Sequence, residues 1–324
     1  MGRPLVLEPR EKITSLRLTS CERNEMDARA EALGFKSLSD YLRHLHKAAV
    51  ATEKNKETNI ELEKYGTLLE SHSTALGKIY QGNSLAYMHS HAGQNSVDLI
   101  LTSPPFGLVR KKSYGNEDAD AYCDWFRPFA EGFKRVLKDD GSLVIDVGGA
   151  WKSGTPTRSL YHFKLLIMLC EEYGFHLAQE HYWWNPSKLP SPAEWVNVRR
   201  VRVKDAINCV WWLSKTPFPR ANNKRILSPY SDSMRTLLKN GYKAKMRPSG
   251  HDISSNFSVD NGGSVPPNLL AIANTESNGA YQDYCRENNI EIHPARFPAL
   301  LPEYFIRFLT NPGDMVLDPF GGSC

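Results

Sequence analysis

The residues best suited to chemistry close an apolar run, Val97-Asp98-Leu99-Ile100-Leu101, as Thr102-Ser103-Pro104-Pro105-Phe106. A buried strand stops where prolines remove ladder donors, and two consecutive prolines fix φ and stiffen the loop. At the carboxyl end of a strand in an open α/β sheet, such a loop stands where ligands bind. It can aim the Ser103 hydroxyl and the Pro104 carbonyl at one substrate amine, while Phe106 offers a ring face to a flat heterocycle. The same residues also make an ordinary turn, and both readings are open on this segment alone. A second strand, Gly141 to Gly149, carries Asp146 near its end, placed either to cap a loop or to orient and relay from Ser103. A third, Met315 to Asp318, feeds Pro319-Phe320-Gly321-Gly322-Ser323. Its glycines allow close backbone approach to a ligand, and the spacing lacks the lysine of a Walker loop.

These segments need a scaffold, and the texture from Ala75 onward is α/β. Lys78-Ile79-Tyr80 reads as a strand ending in Gln81-Gly82-Asn83. Helices are expected over Asp120–Leu137, Leu160–Tyr173 and Pro302–Leu309, and further strands over His176–Trp184 and Asn208–Ser214. Residues 215–292 read as loop-rich and basic. Upstream, Lys12–Thr19 alternates like a strand. Ser20 to Leu33 reads as a helix ended by Gly34, and Ser37-Leu38-Ser39-Asp40 opens a second helix. Residues 51–74 read as a helical linker. With 324 residues, 41% of them hydrophobic, the chain can bury a sizeable core. No apolar run reaches the ~18 residues of a membrane span. Six scattered cysteines without a C-x-x-C pair argue against zinc and against a disulfide framework, and for a reducing cytoplasm. Between Lys215 and Gly250 nine basic residues face one acid, although the whole chain carries only +4. That density suits a polyanion such as DNA, or equally a solvated lysine-rich surface.

Taken together, Asp98 to Phe106 and the distant Asp318-Pro319-Phe320-Gly321-Gly322-Ser323 resemble the amino-methyltransferases of DNA. The order, catalytic loop first and glycine loop last, is that of their permuted beta class. The resemblance is to the PvuII-type cytosine-N4 branch in particular, from about Lys78 to the end. It includes Trp184 to Pro192, Arg247-Pro248-Ser249-Gly250-His251-Asp252 and His293-Pro294-Ala295-Arg296-Phe297-Pro298.

This resemblance implies a Rossmann-like, circularly permuted mixed sheet, with a catalytic half over 75–214, a target-recognition region over 215–292 and the start of a cofactor-binding half over 293–324. It implies S-adenosyl-L-methionine as methyl donor, held by Asp318, Phe320, Gly321, Gly322 and Ser323, with an adenine pocket from Gly82, Asn83 and the segment around Phe297. The family usually carries Asp where Asn83 stands; Asn still accepts a hydrogen bond, without charge. Ser103, Pro104, Pro105, Phe106 and Asp146 would carry the chemistry on a flipped base. Carbon-5 methylation needs a cysteine nucleophile, and the chain has no Pro-Cys dipeptide. Serine at the head of the loop favours cytosine, with adenine-N6 methylation the alternative. Arg110, Lys111, Lys112, Arg199, Arg200, Arg202, Lys204 and Arg247 would contact double-stranded DNA, as backbone clamps or base readers, and CAGCTG is the implied target.

Residues 1–50 lie outside that match and resemble a ribbon-helix-helix segment, with Ser15 and Arg17 toward the major groove and a homodimer through the ribbon. A helical hairpin used only for dimerisation is the alternative, and a non-catalytic DNA-binding regulator is the alternative for the whole chain. Because the sequence stops at Cys324, inside the glycine loop, the cofactor pocket is expected to be partly encoded here, and the chain alone to bind S-adenosyl-L-methionine poorly and to methylate slowly or not at all. A second polypeptide or splicing could supply the remainder, and a simple truncation is the alternative.

Overall fold

In a computed structural model of the chain, residues 19–47, 64–108, 117–241, 245–246, 248, 252–253, 259–275, 279–293 and 296–322 are described. The chain divides into two compact units, Met1–Lys64 and Tyr65–Cys324.

In the first unit, α1 (Ser20–Ala32) begins at a capping box. The Thr19 hydroxyl accepts from the Glu22 N–H while the Glu22 carboxylate accepts from the Thr19 N–H. Gly34, at φ +77°, turns the chain into α2, residues 38–47. Ser37 opens this second helix, its hydroxyl accepting from the Asp40 N–H at 3.2 Å. The strand expected over Lys12–Thr19, with Ser15 and Arg17, lies outside the described residues except for Thr19, which is the N-cap of α1.

The second unit starts with β1 (Leu69–Ser73) and β2 (Lys78–Gln81), an antiparallel hairpin. Two expectations are corrected here. The stretch assigned to a helical linker contains a strand, and Lys78–Gln81 pairs with that strand instead of joining the main sheet. Alternate polar residues explain both: Leu69-Glu70-Ser71-His72-Ser73 has no apolar face to bury and stays exposed. A single turn, α3 (Ser84–Ala86), follows.

The core is a six-stranded mixed sheet. Its strands are β3 (Val97–Thr102), β4 (Leu137–Gly148), β5 (His176–Trp184), β6 (Ile207–Ser214), β9 (Leu269–Ala271) and β10 (Val316–Leu317), in the order β10-β3-β4-β6-β5-β9. Only β6 runs against the others. Between β6 and β9 lie α6 (Asp232–Asn240) and a small hairpin, β7 (Lys245–Met246) with β8 (Asp252–Ile253). α7 (Ala280–Glu287) follows β9.

Helices cover both faces. On one side α4 (Tyr122–Val136) and α5 (Tyr161–Glu171) pack against Ile100, Ile145, Val147 and Leu213. Tyr122, Phe126, Phe129, Phe133 and Val136 recur at steps of three and four, one face of a helix. On the other side Leu301, Phe305, Phe308 and Leu309 of α8 (Leu300–Leu309) pack on Leu99, Leu101, Val144 and Trp212. All six β3 residues are therefore buried, as expected of a parallel strand covered on both faces.

Because β3, β4, β5, β9 and β10 point the same way, their carboxyl ends meet the start of β6 at one edge of the sheet. The region 215–292 is more ordered than a loop-rich reading implies, since β9 completes the sheet beside β5. Several of its cations are also structural. Arg220 pairs with Asp98, Asp140 and Asp314, Lys215 bonds the Leu137 carbonyl at 2.8 Å, and Arg225 bonds the Thr310 carbonyl.

Candidate active site

Ser103 leaves the end of β3, and Asp146 lies two residues from the end of its parallel neighbour β4. The Ser103 hydroxyl donates to Asp146 Oδ2 at 3.0 Å. From the antiparallel neighbour β6, Asn208 Nδ2 donates to Asp146 Oδ1 at 3.0 Å and Oδ2 at 3.4 Å. Asp146 is only 4% exposed. Burial pushes its pKa up to about 6, opposed by the Asn208 and Ser103 hydrogen bonds and the charge of Lys188. Such a carboxylate is mostly ionised at neutral pH, yet basic enough to receive a proton. Ser103 Oγ keeps lone-pair capacity for a further donor.

The loop after Ser103 is fixed at both ends. At its start, the Thr102 hydroxyl donates to Asp318 Oδ1 at 2.6 Å. At its end, the buried Tyr161 hydroxyl donates to the Gly148 carbonyl and is hydrogen-bonded by the Gly107 backbone. The Phe106 ring lies directly on Gly148, where a Cβ would overlap the ring at Cε2 and Cδ2.

Across the cleft, Asp318 accepts from the Phe320 N–H at 3.0 Å, bending the chain into the glycine segment. Burial raises the Asp318 pKa, opposed by Thr102 and the Phe320 N–H. The Phe320 ring packs on Phe129, with centroids 4.8 Å apart. Ser103, Asp146, Phe297, Asp318, Phe320 and Gly321 line one cleft of about 990 Å³, within the size range of cofactor sites. Side-chain-free backbone at Gly321–Gly322, the rings of Phe297 and Phe320, and this volume fit a ligand with a purine and an amino-acid end.

The structure thus brings Ser103, Pro104, Pro105, Phe106, Asp146, Asp318, Phe320, Gly321, Gly322 and Phe297 together. Gly82 and Asn83 are not among the lining residues. The Asn83 side chain caps α3 by accepting from the Leu85 N–H at 3.0 Å, and a Cβ on Gly82 would meet Leu68 Cδ2 at 2.9 Å.

Of the expected DNA contacts, Arg199 is exposed, pairs with Glu194 at 2.8 Å and covers the Trp195 ring. Arg200 is exposed too. Arg202 turns inward: its side chain is 14% exposed and bonds Asp205 at 3.0 Å, a partly buried pairing that engages its guanidinium within the fold. Lys204 binds the carbonyls of Pro186 and Lys188 at 3.2 and 3.0 Å, acting as a loop tie. Arg110, Lys111, Lys112, Arg247 and Ser323 lie outside the described residues.

Residue types and spacing did not single out Asn208, Asn185, Lys188 or Tyr161. A polar Asn at the head of an otherwise apolar strand, Ile207-Asn208-Cys209-Val210-Trp211, is the available signal for Asn208. Its partner depends on strand register, which sets Gly148 opposite Asn208.

Comparison with known proteins places this geometry in a family. A family model described as DNA methylase matches residues 97–324. Type II methyltransferase M.PvuII of Proteus hauseri is 54% identical over 256 residues, 78% of this chain and 76% of that protein. Type II methyltransferase M.BglII of Bacillus subtilis is 28% identical over 251 residues, 76% of this chain but 60% of that protein. Among solved structures, PvuII DNA methyltransferase (cytosine-N4-specific) matches with a TM-score of 0.61 and 44% identity, covering 78% of this chain and 77% of that one. With that model spanning most of its length and a relative this similar, the chain belongs to the DNA methylase family.

Proposed function

We propose that this chain methylates the N4 amino group of cytosine in duplex DNA, as the modification enzyme of a restriction–modification system with CAGCTG as its target. The observation that carries the reading is the Ser103–Asp146–Asn208 chain of hydrogen bonds, set in the same cleft as the Asp318–Gly322 turn.

S-adenosyl-L-methionine supplies an electrophilic methyl group when bound beside Asp318, Phe320 and Gly321. The remaining work belongs to the protein. The cytosine amine is conjugated with its ring and weakly nucleophilic, so its protons must be withdrawn as the nitrogen rehybridises. Ser103 Oγ and the Pro104 carbonyl accept those N–H groups. When the donor's methyl group moves to the amine and the donor's sulfur keeps the bonding pair, one N4 proton would pass to Ser103 Oγ while the Ser103 hydroxyl proton passes to Asp146 Oδ2. Asn208 holds Asp146 in place through that exchange, and Phe106 stacks on the base. Positioning dominates a direct displacement of this kind.

Two features extend the reading to partners. Among the described residues β10 pairs with β3 alone, and Met315 and Val316 are 52% and 37% exposed. Further chain, in the same polypeptide or a second one, would cover this edge and the outer wall of the cleft. The helix pair of the first unit suits a homodimer that adds DNA contacts. Among the described residues no helix is long and apolar enough to cross a membrane, and we place the enzyme in the cytoplasm with the nucleoid.

The test combines plasmid protection with nucleoside analysis. Plasmid from cells expressing the protein should resist cleavage at CAGCTG and yield N4-methylcytosine on hydrolysis. N6-methyladenine instead would overturn the cytosine assignment. N4-methylcytosine with unprotected CAGCTG sites would overturn the target.

A further inference from the structure

The proton path from the substrate amine through Ser103 to Asp146 uses neither cation of the cleft, Lys188 or Arg296. Of these Arg296 is already engaged, donating to the His293 carbonyl at 3.1 Å and lying over the Tyr281 ring. Lys188 lines the cleft with Ser103, Asp146 and Asn208, on a segment held firmly by its neighbours. Its N–H donates to the Asn185 carbonyl at 3.2 Å, and its own carbonyl accepts from Lys204 Nζ at 3.0 Å. The Asn185 side-chain oxygen accepts from the backbone N–H groups of Ser187, at 3.1 Å, and Asn274, at 3.2 Å. Lys188 Nζ, by contrast, makes no hydrogen bond or ion pair with any described residue.

Two carboxylates act on it electrostatically, Asp205 and Asp146, and both are otherwise engaged. Asp205 accepts from Arg158 at 2.5 Å and Arg202 at 3.0 Å. Asp146 accepts from Ser103 and Asn208. Burial lowers the Lys188 pKa, and the two acids oppose that shift. An ammonium group drawn partly out of water, with three donors and no partner, is costly unless a ligand supplies acceptors.

Cytosine presents a donor and two acceptors in a row along its pairing edge: the N4 amine, then N3 and O2. With the amine at Ser103 and Pro104, the acceptors fall to another wall of the cleft. We infer that Lys188 is the specificity-determining residue that donates to O2 and N3 of the flipped cytosine. Adenine offers a C–H where cytosine has O2, so it leaves the donor half satisfied. A site built to hydrogen-bond one group discriminates strongly against analogues that lack it. This inference rests on the cytosine reading above and adds the residue that enforces it.

The experiment measures binding of CAGCTG duplexes whose target position carries an unpaired cytosine or an unpaired adenine, opposite a mismatch. The wild-type chain is compared with Lys188→Met and Lys188→Arg. We expect wild type to prefer cytosine by about tenfold or more, an ordinary loss when one charged hydrogen bond goes unmade. Lys188→Met should fall to about twofold or less by losing more affinity for the cytosine duplex than for the adenine duplex, and Lys188→Arg should keep most of the preference. Binding of a CAGCTG duplex with an abasic target position, which offers Lys188 no base edge, serves as the folding control. A Lys188→Met chain with the wild-type ratio would overturn the inference and leave the cytosine reading standing. A wild-type chain with no preference for cytosine would overturn that reading itself.

Discussion

Asp98 and Asp146 are both buried aspartates of this sheet, 2% and 4% exposed, and their surroundings drive them in opposite directions. Around Asp98, burial is outweighed by Lys138, whose Nζ lies 2.8 Å from both oxygens, by the Met315 N–H and by Arg220, so its pKa falls below the ordinary value. It serves as a clamp between β3, β4 and the strand leading to the glycine turn. Asp146 has only neutral hydrogen-bond donors, Ser103 and Asn208, so burial dominates and the pKa rises to about 6. A folded-state pKa above the unfolded one makes the native state a better proton binder. The associated stability is present in full below about pH 3.8 and is lost as pH rises through about 6. At pH 8 the ionised, buried carboxylate thus costs about 3 kcal/mol. We expect Asp146→Asn to lower the methylation rate by about two orders of magnitude or more while unfolding at higher denaturant concentration than wild type at pH 8. That advantage should disappear as pH falls toward 4. A less stable variant at pH 8 would mean that the two hydrogen bonds outweigh the burial. Asp146 could be read in the sequence because it closes an apolar strand. Its pKa and its Asn208 partner could not, because both depend on which strand lies beside β4.

At the scale of elements, the strands and helices that bury an apolar face follow their sequence periodicity closely. β5 spans His176–Trp184 as expected, and α4 and α5 fall within a residue or two of their expected bounds. The elements that escaped have no such face. β1, the partner of the expected strand β2, is polar and exposed, and β9 is a three-residue addition that gains its place by pairing with β5. The packing that sets the catalytic loop is equally non-local. Phe106 rests on Gly148 because no side chain stands there, although neither residue signals the other in sequence. In Gly148→Ala the new methyl would press on the ring itself, and overpacking of this kind costs about 1–3 kcal/mol. The expected result is a rise of about tenfold or more in KM for DNA, because the stacking face tilts away from the base. Gly149→Ala is the matched control. The nearest contacts of its Cβ would be with the guanidinium of Arg158, so it would disturb the Arg158–Asp205 ion pair instead of the Phe106 ring. Equal effects from the two variants would argue against a stacking role for Phe106.

For the molecule as a whole, charge and chemistry are distributed differently from what composition suggests. The basic stretch from Lys215 to Gly250 marks the chain as a polyanion binder, yet Lys215, Arg220 and Arg225 are spent inside the fold. They hold the segments around β4, Asp98 and Thr310. Fewer cations therefore remain for phosphates than a simple count gives. Every residue lining the cleft belongs to the second unit, Tyr65–Cys324, so base reading and chemistry are assigned there. The first unit can add only phosphate or groove contacts of its own. A chain beginning at Tyr65 should keep the full-length preference for a target cytosine over adenine within about twofold. Its total affinity should fall, and the slope of log K against log salt should become shallower by about 0.9 for each phosphate that the first unit would have neutralised. Equal slopes for the two chains would remove the first unit from DNA binding. A shortened chain that binds but no longer distinguishes cytosine from adenine would place a base-reading element within residues 1–64.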